Sequence, residues 1–170
     1  WAVFPPDLIP RSFDLILRMR NGEHMGNKYR ISIITVSYNA GKTIEQAIRS
    51  VVCQTYDNIE YIIIDGMSTD NTVDIIKKYK DELFYWVSEK DGGIYDAMNK
   101  GIKVAGGDYV YFLGADDCLF QKNTIQTVVD CLCDDIDVLS AGVYLVDEAL
   151  KVERYIDGSF AGEKKRFNGL

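Results

Sequence analysis

Residues 31–52 read Ile-Ser-Ile-Ile-Thr-Val-Ser-Tyr-Asn-Ala-Gly-Lys-Thr-Ile-Glu-Gln-Ala-Ile-Arg-Ser-Val-Val, and they hold one complete strand–turn–helix unit. Ile31 to Val36 is a short β-branched run of the kind that fills a buried strand. Ser37-Tyr38-Asn39-Ala40-Gly41 breaks it with turn residues. Ile44, Ala47, Ile48, Val51 and Val52 then recur at the spacing of one apolar helix stripe. Downstream the alternation continues. The strand Glu60 to Ile64 runs into the turn Asp65-Gly66-Met67-Ser68-Thr69-Asp70 and a helix through Val73, Ile76 and Lys80. The strand Leu83 to Val87 leads through Asp91-Gly92-Gly93 to a helix whose stripe is Ile94, Ala97, Met98, Gly101, Ile102 and Ala105, ended by Gly106-Gly107. The strand Tyr109 to Leu113 passes through Ala115-Asp116-Asp117 to a helix carrying Ile125, Val128, Val129 and Leu132.

Four such alternations predict an α/β fold with a Rossmann-like, mainly parallel sheet flanked by helices. Ile136 to Ser140 reads as a fifth strand, and Val143–Val146 with Val152–Ile156 as a C-terminal β-hairpin around Asp147-Glu148. Residues 29–170 are taken as one domain. A chain of 170 residues, 47% of them hydrophobic, can bury about 70% of its unfolded surface. Residues 1–28 start at Trp1, contain Pro5, Pro6 and Pro10, and follow no regular pattern. They are expected to be a leader, an upstream tail or a segment of cloning origin, and are set aside from the fold.

The charge balance narrows the partners. Lys+Arg 19 against Asp+Glu 26 gives a net charge of −7, which repels a nucleic-acid backbone and argues against nucleic-acid binding. A phosphate ligand is still compatible if a divalent cation lies between it and the acidic chain. No apolar run approaches the ~20 residues needed to cross a bilayer. The expected location is cytoplasmic, with peripheral attachment at the inner face of the plasma membrane as a further option. Cys53, Cys118, Cys131 and Cys133 lack the paired spacing of a zinc site and read as reduced, buried thiols. Tyr85, Trp86, Tyr109, Tyr111 and Phe112 lie in apolar strands and are expected in the core.

In open parallel sheets ligands gather where strands end and loops begin. Three of those ends are acidic: Asp65 closes the second strand, Asp91 lies just past the third, and Asp116-Asp117 follow the fourth. An aspartate after an apolar strand is costly unless it caps a helix or binds something. Asp70 or Asn71 fits a helix cap, and Asp91 fits a cap or a ligand contact equally well. The repulsion within Asp116-Asp117 is most simply relieved by Mg²⁺ or Mn²⁺, which favour oxygen ligands.

Four segments carry a more specific signal. Ile31–Asn39, Ile64–Thr72, Glu89–Gly101 and Gly107–Asp117 resemble, in order and placement, the motifs of family 2 glycosyltransferases, enzymes of the GT-A fold. Glu89–Gly101 (Glu-Lys-Asp-Gly-Gly-Ile-Tyr-Asp-Ala-Met-Asn-Lys-Gly) is especially similar to bacterial members that build polysaccharide or O-antigen repeats. The resemblance covers residues 30–157. It implies a nucleotide contact by the turn Thr35-Val36-Ser37-Tyr38, with Tyr38 near the base. It also implies that Asp65 accepts from a base N–H and that Asp91 lines the nucleotide site. Asp117 would coordinate Mn²⁺ or Mg²⁺, while Asp116 would hold the ribose or share the ion. Lys100 is a weaker candidate for a phosphate-side cation, and a solvated helix lysine is the plainer reading.

The implied partners are a nucleotide-sugar donor, with UDP the expected nucleotide, and a saccharide or lipid-linked acceptor. The implied reaction is transfer of the sugar to an acceptor hydroxyl with inversion, in bacterial surface polysaccharide synthesis. The family takes its general base from a later segment. Asp147, Glu148, Glu153 and Asp157 sit in no such motif, so the base is expected beyond Leu170 and the chain is read as truncated or shortened. A domain that binds nucleotide-sugars without catalysis is the alternative. A nucleotidyltransferase is disfavoured, because Ser37 to Gly41 is not a glycine-rich, basic triphosphate loop.

Overall fold

The computed structural model describes residues 29–132, 143–146 and 152–156. The leader at 1–28, the strand expected at Ile136 to Ser140, Cys133, the turn at Asp147-Glu148, and Asp157 lie outside the described residues. Eight elements alternate: β1 (Ile31–Ser37), α1 (Ile44–Val52), β2 (Ile59–Asp65), α2 (Thr72–Lys78), β3 (Tyr85–Ser88), α3 (Ile94–Val104), β4 (Tyr109–Phe112) and α4 (Thr124–Cys131). The four strands form one sheet in the order β3-β2-β1-β4, with every neighbouring pair parallel.

β1 and β2 occupy the middle, where helices cover both faces, so their apolar runs need no polar alternation. Ile33, Ile34, Ile62 and Ile63 are completely buried. α3 lies on this sheet through Ala97, which packs with Ile34, Ile62 and Ile64. A Cβ on Gly101 would fall 2.5 Å from Ile34 Cγ2, so glycine is what lets α3 approach β1 this closely. α1 buries Ile44, Ala47, Ile48 and Val51 as its stripe predicts. It is joined to α2 by Tyr79, whose hydroxyl accepts from Arg49 Nε (2.9 Å) and donates to Glu45 Oε1 (2.9 Å).

The outer elements depart from expectation in phase. α2 buries Thr72, Ile75 and Ile76 rather than Val73, and ends at Lys78 rather than Lys80. Asn71 stands at the helix cap without a side-chain cap bond, while Asp70 Oδ1, one residue earlier, accepts the Thr72 N–H at 3.0 Å. On α3, Ile94 and Ile102 are exposed and Val104, outside the expected stripe, joins the packed seam, where Ala105 just past the helix packs as expected. β3 begins at Tyr85, two residues later than its apolar run. None of the five strand aromatics is fully buried: Tyr85 and Tyr111 are exposed, and Trp86, Tyr109 and Phe112 are half-buried. Among the described residues β3 and β4 each have one neighbour in this sheet. The cysteines also differ, with Cys53 and Cys118 exposed and Cys131 half-buried, all as free thiols.

A buried carboxylate ties the amino-terminal edge of the sheet. Glu60 accepts from Ser32 Oγ (2.8 Å), the Gly106 N–H (2.8 Å) and Arg30 Nη1 (3.1 Å). Burial pushes its pKa up, but the Gly106, Ser32 and Arg30 contacts together outweigh that and leave it below the usual glutamate range.

β5 (Val143–Val146) and β6 (Val152–Ile156) form the antiparallel hairpin that their alternation predicts, with Tyr144 paired to Tyr155. The hairpin belongs to a second compact unit, separate from the one that ends at Val129. Among the described residues no helix is long and apolar enough to cross a membrane.

Candidate functional site

The strand order reverses at β1: the chain steps outward through β2 and β3, then returns to place β4 on the other side. In such sheets the crevice beyond the carboxyl ends at the reversal is where ligands bind. The register opens it further. β4 pairs with β1 only as far as Ile34–Phe112, whereas β1 runs on to Ser37. The loops after β1 and β4 therefore flank a step in the sheet edge, and Tyr38 and Asp116-Asp117 lie on those loops.

On the β2 side, the parallel register brings Ser37, Asp65 and Ser88 into one row at the rim. Asp65 has no exposed surface. Its Oδ1 accepts from Ser37 Oγ (3.0 Å) and Ser68 Oγ (2.5 Å), and its Oδ2 from the Ser68 N–H (2.9 Å) and Ser88 Oγ (2.6 Å). Four donors match what a buried carboxylate needs on its two oxygens. Ser68 Oγ also accepts the Asn39 N–H at 2.8 Å, and Asn39 Oδ1 accepts the Thr69 N–H at 2.8 Å. The loops after β1 and β2 and the end of β3 are thus clasped around one aspartate.

Asp91 sits beside this clasp. A Cβ on Gly66 would lie 2.7 Å from Asp91 Oδ2, so the missing side chain leaves room for the carboxylate. Asp91 Oδ1 accepts the Gly93 N–H at 2.9 Å, a turn contact before α3. Lys100 is held within its own segment, 2.8 Å from Glu89 Oε1 and 3.5 Å from Asp96 Oδ2. Chiefly the Glu89 hydrogen bond, with Asp96 adding to it, raises its pKa above the usual lysine range. It staples residues 89–100 together.

Thr35 and Tyr38 part company. Thr35 lies inside β1, fully buried, with its hydroxyl 3.1 Å from that of Tyr61, whose pKa burial pushes up to about 12. Tyr38 is the first residue past the strand and is 66% exposed. The turn therefore begins at Tyr38, with Ser37 in the clasp and Thr35 behind it.

On the β4 side both carboxylates are exposed and converge on one glycine. A Cβ on Gly114 would lie 2.7 Å from Asp117 Oδ2 and 2.8 Å from Asp116 Oδ1, so the glycine leaves a cradle between the two oxygens. Among the described residues neither carboxylate takes a hydrogen bond or an ion pair. Two unengaged, hard oxygen ligands suit Mg²⁺ or Mn²⁺, which commonly takes one or two carboxylates and completes its shell with water and substrate phosphate. No group of three such ligands occurs among the described residues, so further ligands would have to come from elsewhere. The loop is anchored just downstream, where Gln46 Nε2 meets Cys118 Sγ (3.7 Å) and the Leu119 N–H donates to Ser50 Oγ (3.0 Å).

A hollow of about 250 Å³ between Val51, Tyr56, Ile59 and Glu82 opens near the start of β2, away from these acids. Sequence reasoning did not single out Ser68, Ser88 or Gly114. Ser88 left a signal, since it ends an apolar strand with a polar residue as Ser37 and Asp65 do.

Comparison with known proteins matches residues 32–168 to the family model described as glycosyl transferase family 2. An uncharacterised glycosyltransferase of Mycobacterium tuberculosis is 39% identical over 103 residues, which cover 60% of this chain and 39% of that protein. Glycosyltransferase GlyG of Streptococcus pneumoniae is 33% identical over 134 residues, covering 76% of this chain and 42% of the relative. The chain thus spans about two fifths of the length of these curated relatives. The crystal structure of S. aureus TarS 1–349 in complex with UDP-GlcNAc superimposes with a TM-score of 0.54 at 28% identity, over 59% of this chain and 30% of that 1–349 chain. The family match runs from β1 through the hairpin and takes in every acidic strand end described above, and the chain accordingly belongs to glycosyltransferase family 2, with the GT-A fold.

Proposed function

We propose that the chain binds a nucleotide-sugar donor, with UDP the expected nucleotide, across the carboxyl rim of its sheet, and that the sugar passes with inversion to a hydroxyl of a saccharide or lipid-linked acceptor. The setting is bacterial surface polysaccharide synthesis in the cytoplasm or at the inner face of the plasma membrane. The observation that carries this reading is the Asp116–Asp117 pair, unengaged and gathered over Gly114 beside the step in the sheet. Similarity to a protein that binds UDP-GlcNAc supports the donor class.

Asp117 would hold Mn²⁺ or Mg²⁺, with Asp116 sharing it or reaching the donor ribose. When bound, such an ion offsets the charge that grows on a departing diphosphate. Tyr38, open at the end of β1, covers the nucleobase, while Thr35 supports that turn from behind. Ser37 and Asp65 form the wall below the base. For Asp65 to accept a base N–H, one of the three serine hydroxyls must turn aside. Asp91 bounds the same side through its free oxygen. The acceptor oxygen attacks the anomeric carbon opposite the diphosphate, and a carboxylate takes its proton as general base.

Release of UDP from UDP-GlcNAc and other UDP-sugars, with Mn²⁺ and with or without saccharide acceptors, tests the reading. Acceptor-stimulated release that disappears in Asp117→Ala is expected. Donor binding with no release under any acceptor supports a binding domain instead, and neither binding nor release contradicts both.

A further inference from the structure

Two residues with side chains hold left-handed backbone at the rim, Asn39 (φ 50°) and Met67 (φ 63°). Asn39 has a local reason: its Oδ1 accepts both the N–H and the hydroxyl of Thr69 (2.8 and 3.3 Å). Met67 has no comparable group to offer, and at 54% exposure packing does not hold it either. Its conformation is imposed from both sides. The Gly66 N–H donates to the Ser37 carbonyl (2.9 Å), and the Ser68 N–H and hydroxyl are both bound to Asp65. The chain between those anchors has little choice of path.

Glycine would take that path with less strain, and nothing around position 67 demands bulk for the fold. A side chain kept on backbone that glycine would hold with less strain, where its own bulk packs against little, points to a use for that side chain. Met67 sits next to Gly66, over which Asp91 packs, and two residues from Asp65. β1 lies between this loop and Asp116-Asp117. In the proposed donor orientation the diphosphate lies with the acidic pair, so the part of the donor near Met67 is the nucleobase.

We infer that Met67 is a specificity-determining contact for the nucleobase of the donor, its thioether lying against the ring face. The inference rests on the nucleotide-sugar reading and deepens it. A flexible, polarisable thioether makes favourable contacts with aromatic rings and adapts to the ring it meets.

Titration calorimetry with UDP, CDP, GDP and ADP, each with Mn²⁺, tests it on the wild-type chain, Met67→Ala, Met67→Gly and Met67→Leu, with inorganic pyrophosphate as the ligand that lacks a base. Met67→Ala and Met67→Gly are expected to weaken the preferred nucleotide about fivefold and to narrow its lead over the others. Met67→Leu, apolar and of similar reach, retains affinity within about twofold. Pyrophosphate binds all four proteins alike. Met67→Gly also melts about 3 °C higher as the strain is released. Wild-type affinity in Met67→Ala overturns the contact, and so does a loss shared equally by pyrophosphate or a Met67→Gly variant that melts no higher. A wild-type chain that binds none of the nucleotides overturns the donor reading itself, and this contact with it, so the two failures are told apart.

Discussion

Carboxylates end strands on both sides of β1, and they live under opposite conditions. Asp65, on the β2 side, has no exposed surface and four donors on its two oxygens. Asp116 and Asp117, on the β4 side, are exposed and accept nothing from the described residues. The same residue type at equivalent ends of one sheet thus does two jobs. A buried carboxylate must be saturated by the protein, and once saturated it locks its donors in place. Two adjacent exposed carboxylates repel each other and are relieved by a cation from outside. The β2 side is a saturated, prebuilt wall, and in the proposed reading the β4 side is half of a binding site that its ligand completes.

The sharpest way to break this contrast is to remove each side in turn. Asp65→Ala leaves three serine hydroxyls facing a dry hole and should lower stability by about 3 kcal/mol in urea unfolding. Asp117→Ala should stay within about 0.5 kcal/mol of wild type in the same assay. Equal losses would erase the distinction. Gly114→Ala comes next. The three atoms nearest the added Cβ all belong to the carboxyl ends of two exposed side chains, so thermal melting should hardly move, yet the oxygens must part. Mn²⁺ affinity should fall about tenfold, and an unchanged affinity would show that the pair does not act through that cradle.

Ser88→Ala removes one donor from Asp65 while Ser37 and Ser68 remain, so about 1 kcal/mol of stability should be lost. The smallest effect sharpens the comparison from the far end of β2. The pKa of Glu60 is lower in the folded chain than in the unfolded one, so its contribution is complete above the ordinary glutamate value and disappears as pH falls through the folded value. Wild type should therefore lose more stability on acidification than Glu60→Gln, whose curve should be flatter over that range. Parallel curves would remove Glu60 from the account.

How much of this could be read in the sequence depended on how completely each element is covered. β1, β2 and α1 were legible because both faces of the central strands are buried and the apolar pattern has one interpretation. β3 and β4 misled about their aromatics, since Tyr85 and Tyr111 belong to strands with a single neighbour among the described residues and remain exposed. The stripe of α3 was misread at Ile94 and Ile102, because the seam is set by the tight approach of Gly101 to Ile34, which periodicity does not reveal. At the site, Asp116-Asp117 stood out because adjacent charges after an apolar strand need a reason. The Asp65 clasp did not, because only the parallel register brings the distant Ser37 and Ser88 to Asp65, and Ser68 joins them through a local turn.

The central claim is that the unengaged pair after β4 binds the diphosphate of a nucleotide through a divalent cation. Titration of UDP into the chain with Mn²⁺ and with chelator, repeated on Asp117→Ala, tests it most directly. The account predicts binding that requires Mn²⁺ in the wild type and is lost in the variant, whose fold is intact. Equal UDP affinity in both proteins, with or without the ion, would contradict it.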